Sequence, residues 1–321
     1  MEWLSIPAFP TAIQIWLSLL VACLVERSFP ISPAVDPIAF FRFVCQRMAN
    51  KVLPNEQQTQ QHFISGILAL LLLLGPSLTI IYLVRAFASY QWLLDIILLY
   101  LAMQYSGVNK SVSAIELALQ KQKKQLARDQ LKTLVLRSTA PLSSVGIAKA
   151  CIEMATLRIS HQQVSVMFWF ICIGPVFALA YRLCYEASQS WNIKLPKFHR
   201  FGWMAAQICI ILQWFPSRLY GMFLALLSLS MTSKILYKRL FSFNGMMQSN
   251  GGFLLSAAGL ALNRNLSGAV IYDSQKYQRV KYLGKQEPQV DDIKKAQAAN
   301  TKAFIAMFAI MLLISLLINK P

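Results

Sequence analysis

Residues 63–84 read FISGILALLLLLGPSLTIIYLV and contain no charged side chain. A helix needs about 20 mainly apolar residues to cross the hydrocarbon core of a bilayer, and this stretch meets that requirement. Within lipid, every backbone N–H and C=O group must find a partner inside its own segment, which a helix provides. The stretch therefore predicts a membrane-spanning helix, and it places the chain among integral membrane proteins.

The composition of the whole chain agrees with this assignment. The 321 residues are 56% hydrophobic and only 14% charged, whereas soluble domains carry about 25% charged residues. Five further apolar stretches are visible. Three are strong, namely 166–184, 205–230 and 303–318, and two are weaker, namely 9–25 and 86–104. We predict an all-α, polytopic integral membrane protein with five or six transmembrane helices, folded as a single membrane domain over residues 1–321.

The basic residues predict the orientation. The net charge is +18, from 31 Lys and Arg against 13 Asp and Glu. If six spans start from an outside N-terminus, the three inside loops 26–62, 104–165 and 232–302 hold 24 of the 31 basic residues. Cytoplasmic loops of membrane proteins carry such an excess. We therefore expect an inner-membrane protein with basic cytoplasmic loops, membrane lipids as partners and no nucleic-acid partner.

Catalytic and metal-binding motifs are scarce. The six cysteines form no C-x-x-C pair, and several lie in apolar stretches, which is typical of small buried side chains. The sequence contains no P-loop, dinucleotide-binding or nucleophile-elbow motif. It therefore predicts no metal site and no disulfide framework.

Two long basic stretches, here called the first block (104–165) and the second block (232–302), are expected to be cytoplasmic and helical. In the first block, residues 108–135 show the spacing of an amphipathic helix. This block could act only as a basic helical hairpin on anionic lipid headgroups. In the second block, Asn250-Gly251-Gly252 predicts a turn before a helix over 254–263.

Four stretches taken in order resemble the CobD/CbiB family of membrane proteins, to which the AmpE proteins are similar. LALQKQKKQLARDQLKTLVLRSTAPLSSVGIAKACIE (117–153) resembles the family's cytoplasmic helix, its "GRDT" turn and the acidic helix that follows. GWMAAQICIILQWFPSRL (202–219) resembles the segment that ends in "NWxPxRL". SNGGFLLSAAGLALN (249–263) resembles "PNAGWxxAAMAGALG", and YLGKQEPQVDDIKKA (282–296) resembles the closing element.

The resemblance implies an activity and a set of site residues. The implied reaction belongs to cobalamin biosynthesis: ATP-dependent amide ligation of cobyric acid with aminopropanol or its phosphate. ATP and magnesium would be the cofactors of such an amide-forming ligase, and a corrinoid or another anionic molecule would be its ligand. The residues that match family motifs and could serve a catalytic site are Arg137, Glu153, Arg218 and Asn250.

The chain departs from the family pattern at its carboxylates. Neutral or basic residues stand at most of the acidic motif positions and their immediate neighbours: Leu157, Arg158, His161, Gln162, Ser188, Cys209 and Ile210. Magnesium requires oxygen ligands, which leucine and isoleucine cannot supply. The alternative function is therefore a non-catalytic, AmpE-like membrane regulator, and the sequence leaves open whether the chain is an enzyme.

Several single residues have a structural alternative beside the functional one. Arg137 could be a helix-end cation, Glu153 could pair with Lys149 one turn away, and Asn250 could form a turn. Arg218 could reach the headgroups from within its span, or it could face an interior cavity together with Asp95. The stretch 166–184 either crosses the membrane or is broken at Gly174-Pro175 into a re-entrant pair.

Overall fold

The fold is known from a computed structural model that describes residues 11–32, 35–53, 59–226, 246–272, 275–279, 281–282 and 286–318. The predicted external N-terminus involves residues 1–10, which lie outside this described part. The part of the second block between 232 and 245 lies outside it as well.

The chain is mostly helical, as predicted. The α-helices are α1 (Thr11–Ser28), α2 (Pro37–Val52), α3 (Thr59–Phe87), α4 (Gln91–Ala102), α5 (Ser106–Gln120), α6 (Lys124–Lys132), α7 (Ser144–Ile159), α8 (Ser165–Cys172), α9 (Pro175–Ser190), α10 (Trp203–Leu226), α11 (Met246–Leu262) and α12 (Asp292–Ile318). A π-helical turn, Ser160–Val164, joins α7 to α8, and a 3₁₀ turn, Pro196–Phe198, precedes α10.

Four short strands were not predicted. They are β1 (Leu266–Ser267), β2 (Val270–Tyr272), β3 (Gln275–Tyr277) and β4 (Lys281–Tyr282). β1 pairs with β4 and β2 pairs with β3, both antiparallel, so this region forms two two-stranded ladders. Runs of two or three residues are too short to show an alternating pattern in the sequence.

Three of the described helices are long and apolar enough to cross a membrane: Gln60–Phe87, Trp203–Leu226 and Asp292–Leu313. They correspond to the predicted spans 63–84, 205–230 and 303–318. The weaker stretches 9–25 and 86–104 fall on α1 and on the 12-residue α4, and neither belongs to this group. The predicted number of five or six spans is therefore not reached within the described residues.

The stretch 166–184 is broken into a helical hairpin. Gly174 has a φ angle of 119°, which favours glycine, and Pro175 begins α9. The Tyr181 hydroxyl donates a hydrogen bond to the His161 carbonyl over 2.8 Å, and the rings of His161 and Tyr185 lie 5.8 Å apart. Because α9 returns alongside the segment before α8, the continuous crossing is wrong and the broken alternative is the one that forms.

α3 and α10 begin side by side. The rings of Phe63 and Trp203 are 5.3 Å apart, and Gly66 lies so close to the Phe201 carbonyl that an added Cβ would clash with it. In the predicted six-span arrangement these two helices start on opposite faces of the membrane. Two spans whose first turns touch start on the same face, so the alternating arrangement does not describe this fold.

α7 lies at the centre of a group of helices that come from both basic blocks. Ten of its 16 residues are buried, and α5, α6, α11 and α12 pack around it. The amphipathic helix predicted over 108–135 is divided here, because Gln122 adopts a φ angle of 57° between α5 and α6. The first and second blocks therefore meet at α7.

We predict that Gly66→Ala destabilises the protein by about 1–3 kcal/mol, the usual cost of overpacking. The new methyl group would collide with the Phe201 backbone, which cannot move without separating α3 from α10. The free energy of unfolding of the detergent-solubilised full chain measures the effect. Gly75→Ala is the matched control in the same helix, since a Cβ there meets nothing within 4 Å. Equal stability of the two variants would contradict the close packing of α3 against α10.

Candidate functional site

Arg218 and Asn250, two of the four predicted site residues, are in direct contact. Both are almost fully buried, with 4% and 3% of their surface exposed. The Arg218 guanidinium donates a hydrogen bond to the Asn250 side-chain oxygen, and it also lies over the rings of Trp214 and Phe253, at 4.8 and 5.7 Å. The segment that resembles "NWxPxRL" and the segment that resembles "PNAGW" are thus joined through these two side chains.

The local geometry of α10 shapes this contact. Pro216 lacks an N–H group, so the carbonyl of Leu212, four residues earlier, is left without its helical donor. The Trp169 indole N–H donates to that carbonyl over 3.1 Å and so fixes the α8 hairpin against α10. Two residues further back, the Asn250 amide donates to the Ile210 carbonyl over 2.8 Å.

The turn predicted at Asn250-Gly251-Gly252 is wrong, because these residues lie within α11. The Asn250 side chain makes long-range contacts to α10 instead of closing a local turn. Gly251 faces α7, where an added Cβ would lie 3.6 Å from Leu157. A Cβ at that distance would make an ordinary van der Waals contact, so these residues continue the helix rather than change the direction of the chain.

Glu153, the third predicted residue, accepts hydrogen bonds from three partners. Its Oε2 receives Arg137 Nη2 at 3.2 Å and Arg279 Nη2 at 3.1 Å, and its Oε1 receives the Ser267 backbone N–H at 2.7 Å. Only 3% of Glu153 is exposed. One buried carboxylate between two guanidinium groups leaves this cluster with a net positive charge.

The structural alternatives for Glu153 and Arg137 are not formed. Lys149 forms its ion pair with Glu287 over 3.0 Å, so the proposed pairing of Glu153 with Lys149 is not formed. Arg137 lies beyond the end of α6 and pairs with Glu153, so its contact is not that of a helix-end cation. Burial raises the pKa of the nearby Cys151 thiol to about 12, which keeps it protonated and unsuited to nucleophilic chemistry.

The four predicted residues form two clusters, Arg137 with Glu153 and Arg218 with Asn250, which lie beside neighbouring parts of α7. Glu153 binds Arg137, while Leu157, one turn further along α7, packs against Gly251 beside Asn250. The two basic blocks meet at α7. Arg137 and Asn250 nevertheless have separate partners.

Asp95 is not the partner of Arg218. Its carboxylate receives both Nε and Nη2 of Arg85, at 2.7 and 3.0 Å, across the short turn between α3 and α4. A bidentate pair of this kind satisfies the carboxylate locally. Asp95 therefore has Arg85 as its ion-pair partner, and the hypothesis that Asp95 and Arg218 face one interior cavity stays a prediction.

The positions where the resemblance places lost carboxylates lie close together. His161 stacks edge-on with Tyr185, and the Cys209 sulfur lies 3.7 Å from the Cys184 sulfur and contacts Ser188. Within the described residues, no group of three or more His, Cys, Asp and Glu side chains is arranged to hold a metal ion. The donor set present there does not fit magnesium, which needs several oxygen ligands.

The sequence analysis missed two sets of polar contacts. Asn300 of α12 bonds to Thr156 and Tyr220, which links α7, α10 and α12. Arg279 and the Ser267 amide complete the Glu153 cluster from more than 100 residues away along the chain. The resemblance gave no motif for Arg279, and its surroundings show no periodic pattern that could have singled it out.

Comparison with known proteins gives consistent matches. The family model described as CobD/Cbib protein matches residues 19–300. The cobalamin biosynthesis protein CobD of Stutzerimonas stutzeri is 28% identical over 231 residues, which cover 72% of this chain and 76% of that protein. CobD of Chromobacterium violaceum is 26% identical over 283 residues, covering 87% and 90%. The probable CobD of Methanothermobacter thermautotrophicus is 31% identical over 149 residues, covering 46% and 50%.

No solved structure matches the chain. The family match spans α1 to α12 and includes both clusters, so it covers every candidate site residue. This chain therefore belongs to the CobD/Cbib protein family.

Proposed function

We propose that this chain acts in cobalamin biosynthesis and binds the anionic corrinoid substrate of the amide-forming step, cobyric acid. Membership of the CobD/Cbib family supports the pathway, as do relatives named for cobalamin biosynthesis along most of their length. The helices long enough to cross a membrane support work at the bilayer.

The observation that carries this proposal is the contact between Arg218 and Asn250 inside the helical core. An arginine within a membrane span costs about 2.5–3.5 kcal/mol on insertion scales, and it is therefore retained chiefly where it has a function or a specific partner. Arginine binds carboxylates and phosphates through its planar array of donors. In the proposal, Arg218 attracts an anionic group and Asn250 holds the guanidinium in place.

The reaction implied by the resemblance joins a carboxylate of cobyric acid to the amine of aminopropanol or its phosphate. The chain's part in it would be to bind and position the two reactants, because such positioning accounts for much of the rate of a ligation. ATP would activate the cobyric acid carboxylate so that the amine can displace the activating group and form the amide. Since the donor set near His161 and Cys209 does not fit magnesium, we derive no step through that ion.

The poor fit of the donor set near His161 and Cys209 to magnesium favours a second candidate function, a non-catalytic AmpE-like regulator in the membrane. Neutral side chains occupy the clustered positions of the lost acids. A regulator could keep the helical scaffold and the Arg218–Asn250 contact without a metal ion. The two functions differ in whether the protein sustains corrinoid amidation.

We expect this chain to restore cobalamin-dependent growth to a bacterial strain that lacks its own amide-forming enzyme. The substitution Arg218→Ala should abolish that growth, because it removes the buried cation while leaving the span apolar. Cobinamide formation in extracts provides a second measurement. Arg200→Ala is the matched control, since Arg200 is exposed just before α10 and outside both clusters.

Failure of the unsubstituted chain, with its presence in the membrane verified by immunoblot, would refute the biosynthetic proposal and leave the regulator. Growth that persists with Arg218→Ala would refute the role given to Arg218 alone.

We predict that Glu153→Gln lowers the free energy of unfolding by about 3 kcal/mol, the lower end for a broken buried ion pair, because Arg279 is partly exposed. Loss of the carboxylate leaves Arg137 and Arg279 facing each other and weakens the acceptor for the Ser267 amide. Hydrogen exchange should accelerate at Ser267 and along β1 and β4. Glu287→Gln is the control and should cost less than about 1 kcal/mol, because its carboxylate is largely exposed.

The same pair of variants separates a structural Glu153 from a catalytic one. A structural residue gives faster exchange at Ser267 together with any loss of growth. Lost growth with unchanged exchange would show that Glu153 acts on the substrate instead.

A further inference from the structure

Buried polar atoms without a hydrogen-bond partner are concentrated along α9 and the π-helical turn before α8. Within the described residues they include the following atoms: His161 Nε2, Gln162 Oε1, Arg182 Nε and Nη1, and Ser190 Oγ. Most buried polar groups in proteins are satisfied, so a group of unsatisfied ones calls for an explanation. The arginine matters most, because only 2% of Arg182 is exposed and two of its donors are unused.

Arg182 and His161 lie on the same aromatic ring. The Arg182 guanidinium carbon is 5.7 Å from the centre of the Tyr185 ring, and the His161 ring is 5.8 Å from it. The third guanidinium nitrogen of Arg182, Nη2, forms an ion pair with Glu186 over 2.9 Å. The guanidinium is thus held by Glu186 and Tyr185, while its remaining N–H groups stay available.

The π-helical turn at Ser160–Val164 is the second sign of a site. A π turn inserts one extra residue into a helix, and such turns occur frequently at functional positions. Here the turn carries His161, whose Nε2 is unsatisfied and whose ring lies against Tyr185 of α9. The Tyr181 hydroxyl binds the His161 carbonyl and so fixes the turn against α9.

The charges around this cluster are positive overall. Arg42 of α2 donates to Glu186 over 3.0 Å, so two arginines surround one carboxylate. Burial and the charge of Lys194 lower the pKa of His161 to about 4, so its ring is neutral at physiological pH. The Arg42 side chain is 44% exposed, which connects the buried cluster to the protein surface at α2.

We propose that Arg182, beside His161 at the Tyr185 ring, forms a binding site for a small oxyanion, a carboxylate or a phosphate monoester. The unused Arg182 donors match the planar oxygens of such a group. Unsatisfied buried donors destabilise a fold, and a bound oxyanion would remove that cost. The site is distinct from the Arg218–Asn250 contact, and the proposal does not depend on the biosynthetic function.

Calorimetric titration of the full chain in detergent with inorganic phosphate, and separately with propionate, tests this site. We expect one equivalent of at least one of the two anions to bind. Arg182→Gln should weaken that binding by a factor of about 10 to 100, as expected for the loss of a charge-assisted hydrogen bond. The anion that binds with the higher affinity identifies the ligand as a phosphate ester or a carboxylate.

Arg85→Gln is the matched control, because it removes a partly buried, ion-paired arginine at the distant turn between α3 and α4. Its anion binding should equal that of the unsubstituted chain. Binding should also persist in Arg218→Ala, so this site can fail or succeed independently of the proposed function.

If Arg182→Gln does not fold, Arg42→Ala provides the second test, since that side chain is half exposed and its loss leaves α2 intact. We expect it to weaken anion binding several-fold. The proposal is overturned if the folded, unsubstituted chain binds neither anion. It is also overturned if folded Arg182→Gln binds as well as the unsubstituted chain or, failing that variant, if Arg42→Ala does.

Discussion

The packing around α7 depends on the hydrogen bonds and ion pairs of the buried Glu153 carboxylate. Glu153 lies on α7, ten of whose 16 residues are buried, and it binds two arginines and a backbone amide that come from either side of it in sequence. Ser138 donates to the Ile271 carbonyl nearby, and Lys149 pairs with Glu287. These contacts attach the short strands to the helical core. A buried carboxylate is costly unless it is paired, so the arrangement holds together as a unit.

The three long apolar helices could be predicted because their signal is local. An uncharged run such as 63–84 specifies a helix in lipid whatever surrounds it. The break at Gly174 is different, since its consequence depends on where α9 packs after the turn, and the contact between Tyr181 and His161 shows that only in three dimensions. Asn250 likewise has a turn-forming local pattern, which the distant partners Arg218 and Ile210 override.

The candidate site was predictable only where a motif marked it. Arg218 and Asn250 were found through the resemblance, and the structure joins them. Arg279 and Ser267 reach Glu153 across 126 and 114 residues, and no local spacing encodes such a pairing. No motif marks Arg182, which lies within the apolar stretch 166–184. Its significance comes from its burial beside His161, which requires the hairpin and the π turn together.

The paired beginnings of α3 and α10 have a consequence for membrane insertion. Because Gly66 abuts the Phe201 backbone, the first turns of these two helices cannot be drawn apart to opposite sides of a bilayer. The basic residues just before α10 (Lys194, Lys197 and Arg200) therefore lie at the same face of the membrane as the start of α3. The membrane orientation of one helix therefore fixes that of the other. If either helix inserted in the reverse direction, the contact between their first turns could not form.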